Sequence, residues 1–186
     1  MAKKQSFCLK CGGSHIEHFE KEKRLMFHCL DCGQISSRVL TFDDSKLAKT
    51  KKGYKHFSVG AIIKKRNRIL LTFPHNFPFE YKFPSGHIKK GEPSKKALYR
   101  EVKEETGLRV ISSKLLFHEV LDWDPCSRGV DIHEWYLFEV EVKGKIDKSN
   151  KEVIRFKWSL PGEIKNLKIN KVYQYWLQKS GLIEGK

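Results

Sequence analysis

The stretch Gly86-His87-Ile88-Lys89-Lys90-Gly91-Glu92-Pro93 runs on to Arg100-Glu101-Val102-Lys103-Glu104-Glu105-Thr106-Gly107-Leu108. Gly91 marks a turn, Pro93 suits a first helical turn, and Gly107 suits a helix C-terminus, so a helix is expected from Pro93 to about Thr106. On it Glu101 and Glu105 stand at i, i+4, and Glu101 and Glu104 at i, i+3, which crowds three carboxylates onto one side. Like charges at that spacing destabilise an isolated helix by about 0.2–0.5 kcal/mol per pair. A hard divalent cation such as Mg2+ or Mn2+ would remove the repulsion, and Arg100 would neutralise and orient one carboxylate. Taken alone, the three glutamates favour a solvated acidic helix face over a metal site.

The wider spacing changes that balance. Gly86, Glu92 six positions on, and Arg100 eight positions after that lead into the Glu101, Glu104, Glu105, Gly107 run. This pattern resembles the signature box of the Nudix (MutT-related) hydrolases at every defined position. The resemblance implies an α+β fold, a Nudix α/β/α sandwich with a mixed sheet, and metal-dependent hydrolysis of a pyrophosphate bond. It implies that Glu101, Glu104 and Glu105 bind Mg2+ or Mn2+ with the backbone carbonyl of Gly86. It gives Arg100 and Glu92 the task of orienting the glutamates, and Val102 and Leu108 that of fixing the helix to the sheet. Ser85 stands where the family often has a second glycine.

Metal ions in such a site neutralise phosphate oxygens and acidify a water, and a carboxylate accepts its proton. The family places that base either in the box or in a later loop. Lys151-Glu152-Val153-Ile154-Arg155-Phe156 resembles the loop segment of ADP-ribose-cleaving members, which makes Glu152 a candidate fourth carboxylate. Trp123, Phe77, Phe79 and Tyr81 are loop aromatics suited to stacking on a base, although packing across a sheet edge is the favoured reading of any single one.

Near the N-terminus stand Cys8-Leu9-Lys10-Cys11-Gly12 and Cys29-Leu30-Asp31-Cys32-Gly33, with 17 residues between Cys11 and Cys29. That spacing falls in the window for zinc, and four thiolates suit a closed tetrahedral Zn2+ site. The unit resembles a zinc ribbon. A ribbon ahead of a Nudix domain resembles the layout of NADH pyrophosphatases, although the motif that subfamily carries after the box is not found in Leu121-Asp122-Trp123-Asp124-Pro125-Cys126-Ser127. Pro125, 17 residues past Leu108, resembles the ADP-ribose-cleaving members. His15, His18 and His28 are read as surface residues and Cys126 as an ordinary thiol.

Around these landmarks we expect a β-type ribbon over 1–45, with Arg24–His28 a strand and Val39–Phe42 beside it. A lysine-rich linker is expected over 46–56, and the hydrolase domain over 57–186. Strands are expected at 58–63, 69–72, 108–111, 114–120, 134–142 and 153–158, with a last helix over 169–179. The chain of 186 residues carries twelve Phe and four Trp, enough to build a core. No apolar run approaches the ~20 residues of a membrane span, and the N-terminus lacks an apolar signal stretch, so a cytoplasmic protein is expected with no membrane partner.

The net charge of +15 rests on 29 Lys against 8 Arg scattered along the chain, a Lys excess that fits a solvated surface better than a polyanion-binding one. The main functional expectation is hydrolysis of a nucleoside diphosphate linked to another moiety, with ADP-ribose or an NADH-like dinucleotide favoured. The competing one is an RNA-directed protein, either a 5′-end decapping enzyme or a nucleic-acid-binding module, for which salt-sensitive RNA binding would be the sign. A homodimer built through the ribbon is compatible with the first.

Overall fold

The computed structural model describes residues 4–75, 79–149 and 151–184. Its contacts divide into two units: Met1–Phe57 with Ile88–Gly91 and Val120–Glu134, and Ser58–His87 with Glu92–Glu119 and Trp135–Lys186.

In the first unit, β1 (Gln5–Phe7) pairs antiparallel with β5 (Leu40–Phe42). Strands β2 (Ile16–Lys21), β3 (Arg24–Cys29) and β4 (Ile35–Ser36) form a separate antiparallel sheet. The β2–β3 hairpin closes through Glu22 and Lys23, both at positive φ, as a tight two-residue turn of this hand requires. Two expectations are corrected here. The chain around Val39–Phe42 lies against Gln5–Phe7, not beside Arg24–His28. The 46–56 linker is a hairpin, in which β6 (Leu47–Thr50) pairs with the start of β7 (Gly53–Lys65). Strand β2 is solvated along nearly its whole length, and β6, with Leu47, Ala48 and Thr50 half-buried around exposed Lys49, has no period-2 apolar pattern.

The second unit is built on a sheet whose order runs β10 (Arg109–Leu121), β11 (Ile132–Lys143), β7, β8 (Arg68–Pro74), β12 (Val153–Ser159). A short strand, β9 (Ser85–His87), also pairs antiparallel with β7. The remaining elements are α1 (Ser94–Thr106), α2 (Pro161–Ile164) and α3 (Lys171–Lys179). The β7–β8 turn is Arg66-Asn67, again with both residues at positive φ. Val59, Ala61, Ile62 and Ile63 of β7 are all fully buried, the continuous apolar run of a central strand covered on both faces. Gly60 has no room for a side chain, since a Cβ there would stand 2.5 Å from the Phe83 ring. Trp176 and Leu177 of α3 and Ala97, Leu98 and Val102 of α1 complete the core.

The strands expected at 108–111 and 114–120 are one strand, β10, which starts at Arg109 and is not broken by Ser112 and Ser113; the Ser112 hydroxyl donates to Glu141 at 2.8 Å. Residues 85–87 pair with β7 in register Ser58–His87, Val59–Gly86 and Gly60–Ser85, so the turn that feeds α1 begins after His87. Among the described residues no helix is long and apolar enough to cross a membrane.

Candidate active site and cysteine centre

Helix α1 starts one residue later than expected. Pro93 holds an extended conformation with φ −64° and ψ 145° and acts as the N-cap. At the other end Gly107 sits at φ 74°, and its N–H returns to the Lys103 carbonyl at 2.9 Å. Left-handed backbone of this kind costs a non-glycine residue about 1–2 kcal/mol.

The three helix glutamates occupy three different environments. Glu105 falls on the same stripe as Leu98 and Val102 and is only 5% exposed. Glu101 is mostly buried, and the Glu104 side chain is 46% exposed. The Arg100 guanidinium spans the group. It donates to both Glu92 oxygens at 2.9 and 2.8 Å, to Glu101 at 2.6 Å, to Glu104 at 2.9 Å, and to the His87 carbonyl at 3.0 Å. This fork engages three carboxylates and one carbonyl, and lysine has no planar set of donors to replace it. Burial pushes the Glu101 carboxyl up to about 7, against the pull of Arg100.

Gly86 explains its own identity. A Cβ there would lie 2.2–2.3 Å from the Glu101 carboxylate atoms. Since that contact is the far end of a flexible side chain, Gly86→Ala is expected to leave the melting temperature nearly unchanged while moving the Glu101 carboxylate. Displacements of about 1 Å in a catalytic group cost on the order of 10²-fold in rate. Parallel assays of kcat and thermal melting check this, and unchanged turnover would show that the close approach has no catalytic meaning.

Two participants escaped the sequence reading. The Lys82 ammonium forms an ion pair with buried Glu105 and donates to the Ser85 carbonyl at 3.2 Å. Burial opposes its charge, but Glu105 holds the Lys82 pKa above the ordinary lysine range. Burial pushes the Glu105 carboxyl up, and Lys82 together with the Ser85 N–H at 3.3 Å pulls it back. Ser85, in the place of the common second glycine, is buried, and its hydroxyl pairs with the Tyr173 hydroxyl at 2.7 Å. A lone lysine in an aromatic and proline-rich loop was the available signal for Lys82; nothing local pointed to Tyr173.

Lys82→Met is expected to cost about 3–5 kcal/mol of stability, because it strands a buried carboxylate. The cost should shrink in acid. Without Lys82 the folded Glu105 pKa rises further above its unfolded value of about 4.3, so the variant gains stability as pH falls and loses it as pH climbs between the two. Urea unfolding of both proteins across that range tests the sign.

Glu152 is exposed at the bend before β12. Its carbonyl accepts from the His75 N–H at 3.0 Å, and its charge acts on Glu105, which places it in the same electrostatic neighbourhood. Tyr81 is half-buried; its ring stands edge-on to Phe73 at 5.0 Å, and its N–H donates to the Lys168 carbonyl at 2.8 Å. Phe79 stacks on Phe73 at 6.4 Å. Phe77 lies outside the described residues. Trp123, 38% exposed, belongs to the first unit.

In the first unit, Cys8, Cys11, Cys29 and Cys32 bring their sulfurs within 4.8 Å of one another. The Cys8–Cys32 and Cys11–Cys29 separations are 3.8 and 3.6 Å. Four sulfurs about 2.3 Å from a tetrahedral Zn2+ would stand about 3.8 Å apart. Each pair sits in a tight knuckle: Gly12 donates to the Cys8 carbonyl at 2.9 Å and Gly33 to that of Cys29 at 2.8 Å, with both glycines at positive φ. Backbone N–H groups from Cys11 and Lys10 draw the Cys8 thiol down to about 7. His15 pairs with Asp31 at 2.6 Å, outside the sulfur set.

The NUDIX domain model matches residues 54–179. The chain belongs to the Nudix family. An ADP-ribose pyrophosphatase of Methanocaldococcus jannaschii is 37% identical over 90 residues, covering 47% of this chain and 51% of the relative. The chain thus spans about half the length of the curated relative it matches. Among solved structures, a NUDIX hydrolase from Nitrosomonas europaea superposes with a TM-score of 0.57 at 21% identity, covering 69% of this chain and 91% of that one. The NUDIX domain of Shewanella oneidensis NrtR, complexed with ADP ribose, gives 0.54 at 16% identity, covering 68% and 86%. These likenesses confirm the α+β Nudix fold with its mixed sheet. The Nudix box maps onto β9, the turn after it and α1.

Proposed function

We propose that this Nudix protein hydrolyses the pyrophosphate bond of a nucleoside diphosphate linked to a further group, with ADP-ribose or an NADH-like dinucleotide as the favoured substrate. The observation that carries the reading is the packing of Glu101 against Gly86 beside buried Glu105, with Arg100 holding Glu92, Glu101 and Glu104 in one fork. An isolated solvated acidic face would have no reason to bury two of its carboxylates.

The donor set is all oxygen and carries several negative charges, which suits a hard cation. Glu101, Glu104, Glu105 and the Gly86 carbonyl would hold Mg2+ or Mn2+. Such an ion supplies Lewis acidity, drawing charge from phosphate oxygens and acidifying a water. Arg100 fixes the carboxylates so that they need not reorganise during the reaction. Either a box glutamate or Glu152 takes the proton of the attacking water. A new P–O bond forms to the water oxygen as the anhydride P–O bond breaks, and the departing phosphate keeps the electron pair. Tyr81 and Trp123 are proposed base-stacking contacts, and the four N-terminal cysteines a structural Zn2+ site.

The named activity of the Methanocaldococcus jannaschii relative and the ADP ribose held by the Shewanella oneidensis domain support the choice of substrate. A panel of ADP-ribose, NADH, dinucleoside polyphosphates, nucleoside triphosphates and 5′-capped RNA, with Mg2+ and with Mn2+, tests it. The expected result is highest kcat/KM on ADP-ribose or NADH. Preference for capped RNA would transfer the site to the RNA-directed reading, and no turnover on any member would overturn the proposal.

A further inference from the structure

We infer that His56, Cys126 and His133 form a second transition-metal site in the first unit, of a kind that takes zinc or cobalt(II). Their ligand atoms all lie within 4.8 Å of one another, and the Cys126 sulfur stands 3.6 Å from His56 Nδ1. A zinc ion about 2.3 Å from sulfur and about 2.0–2.1 Å from nitrogen, at a tetrahedral angle, sets those two atoms about 3.5 Å apart. The two imidazole rings lie 5.7 Å apart between centroids, tilted by 53°, and both are 1% exposed. Mixed sulfur and nitrogen donors select borderline-soft ions over Mg2+, so this site and the glutamate site would not compete for the same cation.

The surrounding contacts hold the ligands as a metal site would need. His133 Nδ1 lies 2.8 Å from the Asp124 carbonyl. A carbonyl can only accept, so Nδ1 carries the proton and the lone pair sits on Nε2, the arrangement typical of an oriented histidine ligand. Cys126 is fixed by its backbone. Its N–H donates to the Val130 carbonyl at 2.9 Å, and its carbonyl accepts from the Gly129 N–H at 3.1 Å. Arg38 then locks the loop, donating to the carbonyls of Cys126 at 2.8 Å and Val130 at 3.2 Å and to Asp131 at 2.6 Å. Gly129 packs so closely that a Cβ would meet the Val39 carbonyl oxygen at 2.6 Å.

The test is metal stoichiometry of the full chain, purified without chelators and dialysed into Mg2+ buffer. Mass spectrometry of the metals should give two zinc ions per chain, falling to one in Cys126→Ser and in His133→Gln. After exchange into cobalt(II), Cys126→Ser should lose a distinct share of the sulfur-to-cobalt charge-transfer absorption. One zinc in the parent protein, or two retained in both variants, would overturn the inference. Should either variant fail to fold, the parent protein still decides: Cys126 must resist iodoacetamide with zinc bound and react once zinc is withdrawn. Equal reactivity in the two states refutes the site.

Discussion

Glu104→Gln is expected to lower kcat at least about 10²-fold at saturating Mg2+, with the melting temperature close to that of the parent protein. The loss follows from removing one negative oxygen from a preorganised electrostatic site, where a single contact is felt on the scale of 10²–10³ in rate. Stability should hold because the Glu104 side chain is 46% exposed and its pairing with Arg100 is only one of that guanidinium's contacts. Glu105→Gln should depress turnover at least as much and also lower the melting temperature, since it removes the buried charge that pairs with half-buried Lys82. The pair of variants therefore separates catalysis from folding. Circular dichroism and melting curves beside steady-state kinetics read both quantities. Near-normal turnover in both variants would remove these glutamates from the reaction, whatever the substrate.

Withdrawing metal from the four N-terminal cysteines is the change expected to disturb the structure most. Among the described residues before Arg38, Cys8 and Cys29 are the only buried side chains, while Leu9, Phe19, Leu25, Leu30 and Ile35 are exposed. A segment with no apolar core cannot offset its chain entropy, and small modules of this kind need a staple. Structural zinc provides about 10–16 kcal/mol of apparent binding free energy, which far exceeds what the β2–β3–β4 hairpins supply unaided. A zinc chelator, or Cys8→Ser, should therefore collapse the amide dispersion of residues 5–36 in nuclear magnetic resonance spectra and make that segment the first to be cut by protease. Retention of those signals in zinc-free protein would show that the ladder hydrogen bonds suffice and that the cysteines have another purpose.

What could be read directly was whatever repeats over a few residues. The helix from Ser94 to Thr106, its glycine cap and the side-by-side glutamates follow from a 3.6-residue period and one left-handed position. The cysteine knuckles follow from a three-residue spacing with glycine behind it. In both cases the geometry is local, so the residue types and their intervals carry it.

Tertiary structure decided everything that depends on which distant segments meet. It buried Glu105 and Glu101 while leaving Glu104 half-exposed, a distinction the spacing alone does not contain. It set Lys82 against Glu105, gave the Ser85 hydroxyl Tyr173 as its partner, and brought Glu152 into the electrostatic range of the helix. It paired Leu40–Phe42 with Gln5–Phe7 and turned a lysine-rich linker into a hairpin, because ladder hydrogen bonds join backbone groups and the side-chain pattern does not name their partners. The glutamate helix is thus legible from its period and caps. The charge state and accessibility of each glutamate are set by the sheet and loops that close over it, contacts whose partners lie tens of residues away in the chain.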